Sequence, residues 1–148
     1  MEKDKTIPTL SKTSVSQSVI KPKDLRIGNL LHFNFTSENV EIIGINAHNY
    51  GSEITHTFSF EADENLYCEK ISLLSAIDIS DGWLKKLGFT TTDNLFYNLD
   101  DFKIITHKGH NFKWTVIFKD VLIKYNIEYV HKLQNLYFAL TGRELTVD

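Results

Sequence analysis

The sequence predicts an α+β fold, with antiparallel strands and hairpins, one short helix and one C-terminal docking helix. Three observations carry this. Apolar residues between 29 and 118 fall in short runs, several alternating at the period of a half-buried strand. A single capped helix interrupts those runs near residue 80. The chain then ends on helical spacing, and strands followed by a docking helix is the α+β order rather than the alternating α/β one.

The elements follow in order. Residues 29–35 (NLLHFNF) and 40–45 (VEIIGI) flank the polar cluster Thr36-Ser37-Glu38-Asn39 and read as a hairpin. Residues 54–60 (ITHTFSF) alternate as a strand, with 66–74 as the expected partner. Ser80 is placed to cap a short helix, Asp81 suits its first turn, and Trp83, Leu84 and Leu87 form its apolar face. Gly88 supplies a left-handed stop. Strands are expected at 95–99, 102–107 and 112–118, the last two joined by the turn Lys108-Gly109-His110-Asn111. Over 127–140, at about 100° per residue, Tyr129, Val130, Leu133, Leu136, Tyr137 and Leu140 share a face. Glu128, His131, Lys132 and Asn135 lie opposite, Gly142 ends the helix, and 144–147 is expected to add a short closing strand.

Composition bounds the rest. The chain has 148 residues, 42% hydrophobic and 12% aromatic, enough for a core without disulfide or metal. Residues 1–22 hold seven Ser/Thr and four Lys against Glu2 and Asp4, and read as a flexible tail preceding one domain over 23–148. The lone Cys68 reads as a buried structural thiol. With no signal peptide and no long apolar run, a bacterial cytoplasm is the expected location and a membrane is not. A net charge of −3, from 16 basic and 19 acidic residues, argues against non-specific duplex DNA binding through phosphates.

Three stretches carry a resemblance: Lys23-Asp24-Leu25-Arg26-Ile27-Gly28-Asn29, the run 79–89 (ISDGWLKKLGF) and the run 129–142 (YVHKLQNLYFALTG). Together they resemble a family of small uncharacterised proteins of Bacteroidetes genomes and their phages and prophages. Members of that family usually begin near the Asp-Leu-Arg-Ile-Gly-Asn stretch, so the preceding tail is a departure. The resemblance implies a mobile-element accessory protein and carries over no activity.

No phosphate loop, nucleophile elbow, His-Glu-x-x-His helix or spaced carboxylate pair is present, so no catalytic residue is assigned. His107 and His110 bracket a turn and His48 and His56 lie earlier, without the ligand set zinc wants, so neither metal nor cofactor is expected. Two patches remain as candidate binding surfaces. Lys108, Lys113, Lys119 and Lys124, with Phe112, Trp114 and Tyr125, place cations among aromatics, and the rings matter there only if exposed. His131, Gln134 and Asn135 stand at i, i+3 and i+4. They form either a small polar site or a hydrogen-bonded rim that ties the helix to the strands, the rim being the simpler reading. The expected function is a non-enzymatic accessory protein that binds a host protein, an anti-CRISPR-like inhibitor of a ribonucleoprotein nuclease being the concrete case. A nucleotide-signal sponge, a virion structural protein and a small nucleic-acid-binding (RNA-binding) module are the alternatives. Neither the target nor the oligomeric state follows from the sequence.

Overall fold

The structure is a computed structural model and describes residues 20–107, 114–124 and 126–147. In chain order the strands are β1 (Leu30–Phe33), β2 (Glu38–Glu41), β3 (Gly44–Tyr50), β4 (Glu53–Ala62), β5 (Asn65–Lys70) and β6 (Leu74–Ser75). Helix α1 (Asp81–Lys86) follows, then β7 (Phe96–Leu99), β8 (Phe102–Thr106), β9 (Trp114–Phe118), β10 (Val121–Lys124) and helix α2 (Val130–Thr141). The described strands form three antiparallel sheets, ordered β2-β1-β6, β3-β4-β5 and β10-β9-β8-β7. The α+β class is as the sequence predicts.

Turn chemistry explains the pairing. Gly51, at φ 72°, begins the two-residue Gly51-Ser52 loop between β3 and β4, where a type II′ turn needs a positive φ. Asp63 and Glu64 are both left-handed between β4 and β5, as a type I′ turn requires. The same device, Lys119 and Asp120, joins β9 to β10. Ser80 caps α1 by accepting the Trp83 N–H at 3.3 Å, and Gly142 ends α2 in the left-handed region.

Two apolar clusters share β1. Leu31 and Phe33 face Val40, Ile42, Phe58 and Phe60, with the Phe33 and Phe60 rings 4.7 Å apart. Leu30, of opposite parity, joins the other cluster, in which α1 and the β7–β10 meander meet Val130, Leu133 and Tyr137 of α2.

Several expectations are corrected. The run 40–45 is not one strand: after β2 the chain changes partner, with the Ile42 N–H on Asn29 and the Ile43 N–H on Ser59. Gly44 makes that crossing at close range, since a Cβ there would lie 3.2 Å from the Ser59 Cβ. Strands β3 and β10 went unread in the sequence, and α2 starts at Val130 rather than 127. Residues 144–147 add no strand, although Leu145 is buried. Cys68 is exposed, because Tyr67 takes the inward position on β5. Most of the expected tail and the 108–111 turn lie outside the described residues. Among the described residues no helix is long and apolar enough to cross a membrane.

Candidate binding sites

The lysine patch does not gather into one surface among the described residues. Lys108, Phe112, Lys113 and Tyr125 lie outside them. Trp114 is 8% exposed and packs edge-on against Tyr97 at 5.7 Å, so it is a core ring with no face for a base. Lys119 stands in the β9–β10 turn with its ammonium 5.3 Å from the Phe118 ring centroid. Lys124 is at the other end of β10, about 16 Å along the strand at ~3.3 Å per residue.

The helix patch resolves into two unlike parts. Gln134 is buried and spends its amide on backbone: Oε1 accepts the Leu30 N–H at 2.9 Å, and Nε2 donates to Gly28 at 3.0 Å and Leu145 at 2.9 Å. Asn135 Oδ1 accepts from Arg26 Nε and Asn29 Nδ2, each at 2.8 Å, and its Nδ2 donates to the Asp24 carbonyl at 2.7 Å. Arg26 completes this clasp with two 2.7 Å bonds to Glu144 and lies 4.3 Å from the Phe138 ring centroid. The guanidinium holds the Glu144 carboxyl below its ordinary range. Gly28 is left-handed at φ 89°, with the Glu144 carboxylate 3.3 Å from where a Cβ would sit. These residues fasten the 24–30 stretch to α2.

His131 is different. It is 2% exposed, not on a solvent face as the helical wheel suggests, because the 20–24 segment covers that side of α2. Its Nδ1 is buried without a partner. Burial, with Lys132 adding repulsion, pushes the imidazole down to about 4, against a weaker opposing pull from Asp24. The ring is therefore neutral near pH 7. It lines a pocket of about 250 Å³ with Asp24, Glu128, Tyr129, Lys132, Ile20 and Ala76. A second, more open groove of about 540 Å³ adjoins it through Asp24 and Lys132. That groove brings Lys124 and Asn135, one residue from each candidate patch, over Ile127 and Leu136.

A further surface was missed in the sequence. The β3–β4 hairpin stands clear of the core beyond Phe58: every residue of β3 from Asn46 to Tyr50 is exposed, and Tyr50 and Ile54 reach 70% and 62%. Among the described residues strand β3 is an edge of its sheet, paired only with β4. Tyr50 and Glu53 close the two-residue loop as a hydrogen-bonded pair, so pairs alternate from there. Asn46, His48 and Tyr50 thus bond to β4, while Ile45, Ala47 and Asn49 turn their N–H and C=O groups outward. The Gly51-Ser52 pair just ahead of the alternating run 54–60 was the signal available in the sequence. On the hairpin's other face Asn46, His48, Thr57 and Cys68 form a polar network, with His48 Nε2 3.2 Å from Thr57 Oγ1. Among the described residues no three His, Cys, Asp or Glu side chains gather closely enough to hold a metal ion.

Compared with known proteins, the chain matches no family model, no curated protein and no solved structure.

Proposed function

We propose that this chain is a non-enzymatic accessory protein that binds a host protein by adding one of that protein's extended segments to the edge of β3. The observation that carries the reading is the edge itself. A strand of seven residues, Gly44–Tyr50, exposed from Asn46 onward, offers a row of donors and acceptors unpaired among the described residues. Edge strands in folded proteins are normally blunted by charge, proline or a bulge. Here Gly-Ile-Asn-Ala-His-Asn-Tyr contains no acid, lysine, arginine or proline, and its register with β4 is unbroken over all seven residues. The other described edges differ: β2 carries Glu38 and Glu41, β5 ends in Glu69 and Lys70, and β10 is irregular between Leu122 and Lys124. Strand β6 is only two residues long, and β7, four residues long, has Asn98 already paired with Thr90. Strand addition draws affinity from main-chain hydrogen bonds and specificity from alternate side chains, here Ile45, Ala47 and Asn49 on one face and Asn46, His48 and Tyr50 on the other.

The resemblance to small phage and prophage proteins of Bacteroidetes supplies the biological setting. In that setting the bound protein is a host defence component, and inhibition of a ribonucleoprotein nuclease in the manner of an anti-CRISPR protein is the concrete form.

The test is affinity capture from a Bacteroidetes host lysate with the full chain and two edge variants. Ala47→Pro removes an outward donor without touching a bond to β4, and Asn49→Lys adds an edge charge. The expected result is a defined host protein retained by the wild type and released by both variants, which circular dichroism shows to be folded. Retention of the same protein by the blocked edges, or association of the chain with itself alone, would overturn the reading.

A further inference from the structure

The β3 edge lies in the acidic part of the chain. Over residues 30–75, the span from β1 to β6, seven acids stand against a single lysine, Lys70, a net −6 where the whole chain has −3. Six of those seven acids are exposed.

The charges are placed unevenly about the edge. Strand β3 itself carries none, and at its Tyr50 end only Glu53 stands near, as the cross-strand partner of Tyr50. The Gly44 end is different. Gly44 pairs with Ser59, so Glu61 lies two residues past that pair on β4, and Asp63 and Glu64 form the turn that follows. Glu41 precedes Gly44 by three residues. Glu38 is tied to the same turn by the Asp63 N–H, which its Oε2 accepts at 3.1 Å. Five exposed carboxylates therefore stand past one end of an uncharged edge. None of the five has an ion-pair partner among the described residues. Lys70 pairs with Thr57 on β5, with β4 between it and β3.

Charge then selects the occupant of the edge. Complementary charge speeds encounter and like charge rejects wrong partners. A second copy of this chain would bring the same net −6 to the edge, and an acidic segment would add to the repulsion. A segment bearing lysine or arginine is the complement. Every described strand pair is antiparallel. A segment added to β3 in that sense runs from the Tyr50 end to the Gly44 end, so its C-terminal side reaches the carboxylates. We infer that the host segment added to β3 is followed on its C-terminal side by lysine or arginine residues, which pair with Glu41, Glu61, Asp63 and Glu64. This rests on the strand-addition reading and names the chemistry of its partner.

Four peptides with blocked ends test it by isothermal titration of the full chain. Each has seven alternating threonine and valine residues. Three of them add a C-terminal run of three lysines, three glutamines or three glutamates, and the fourth carries its three lysines at the N-terminus. In buffer of about 0.05 M ionic strength, the C-terminal lysine peptide is expected to bind with Kd below about 1 mM, at least tenfold tighter than the other three. Its advantage is expected to shrink severalfold at about 0.5 M salt, where surface charges are screened. Joint replacement Glu41→Gln, Glu61→Gln and Glu64→Gln, with the fold checked by circular dichroism, is expected to remove the preference, and Ala47→Pro to abolish the binding. Equal binding of all four peptides, still abolished by Ala47→Pro, would overturn the charge inference and leave the edge standing. Binding that Ala47→Pro leaves intact would overturn both, since docking would then not use the edge. No binding of the C-terminal lysine peptide at that level, or an unchanged preference in the triple variant, would overturn the inference, while the edge reading keeps its separate test in the host lysate.

Discussion

A buried neutral imidazole makes stability depend on pH, and His131 places that dependence in an unusual window. Its ordinary value is 6.5 and the folded value is about 4. The unfolded chain therefore takes up a proton first as pH falls, and the stabilisation present above pH 6.5 is lost progressively toward pH 4. The loss approaches roughly 3 kcal/mol, since each pH unit separating the two values is worth about 1.4 kcal/mol. Glu144, whose ordinary value is 4.5 and which Arg26 lowers further, contributes its own loss only at lower pH. Urea titrations at pH 7 and pH 5 are expected to show a clear drop in the wild type and a smaller one in His131→Gln. An equal drop in both would show that His131 is not the titrating group. At this scale the sequence was partly legible. It marked His131, Gln134 and Asn135 as a cluster and showed that they are neighbours on a helix. It placed His131 on the wet side, because a helical wheel knows only one buried face and α2 is covered from a second direction by the 20–24 segment. Cys68 failed for the same kind of reason: strand alternation fixes which residues share a face but not which face is inward, and Tyr67 rather than Cys68 faces the core.

At the scale of elements, α2 is held as much by hydrogen bonds as by apolar contact. Leu133 is fully buried among the aromatic and aliphatic side chains of the meander core, so Leu133→Ala is expected to cost roughly 2–5 kcal/mol. Gln134 is the sharper case. Gln134→Leu keeps the volume and adds apolar surface, yet it orphans the Leu30 N–H and removes a partner from the carbonyls of Gly28 and Leu145. Each such loss is worth about 1–3 kcal/mol, so a total near ~3 kcal/mol or more is expected in chemical denaturation. A Leu variant within about 1 kcal/mol of wild type would mean that the amide sits on a solvated rim. Both helices were readable because their ends are written locally, Ser80 before one and Gly142 after the other. The strands were readable where two runs flank a turn, as in β1–β2 and β4–β5. Strand β3 was lost because Gly-Ile-Asn-Ala-His-Asn-Tyr buries little, and a strand exposed on both faces leaves no hydrophobic period to find.

For the whole molecule, that lack of a period is itself informative. Seven residues, of which only Ile45 packs against the core, are nevertheless held extended by an unbroken ladder to β4, with an uncharged outer edge open among the described residues. The lysine surface expected from the sequence does not have this coherence: Trp114 is in the core, and Lys119 and Lys124 stand at opposite ends of β10. The partner is therefore expected to pair with β3. Residue-resolved amide hydrogen exchange, on the free chain and on its complex with the captured host protein, is the decisive measurement. In the free chain Ile45, Ala47 and Asn49 should exchange fast, while Asn46, His48 and Tyr50 are slowed by their bonds to β4. In the complex, protection should appear at Ile45, Ala47 and Asn49. Protection confined to Lys119 and Lys124, or none anywhere along β3, would rule out pairing at this edge.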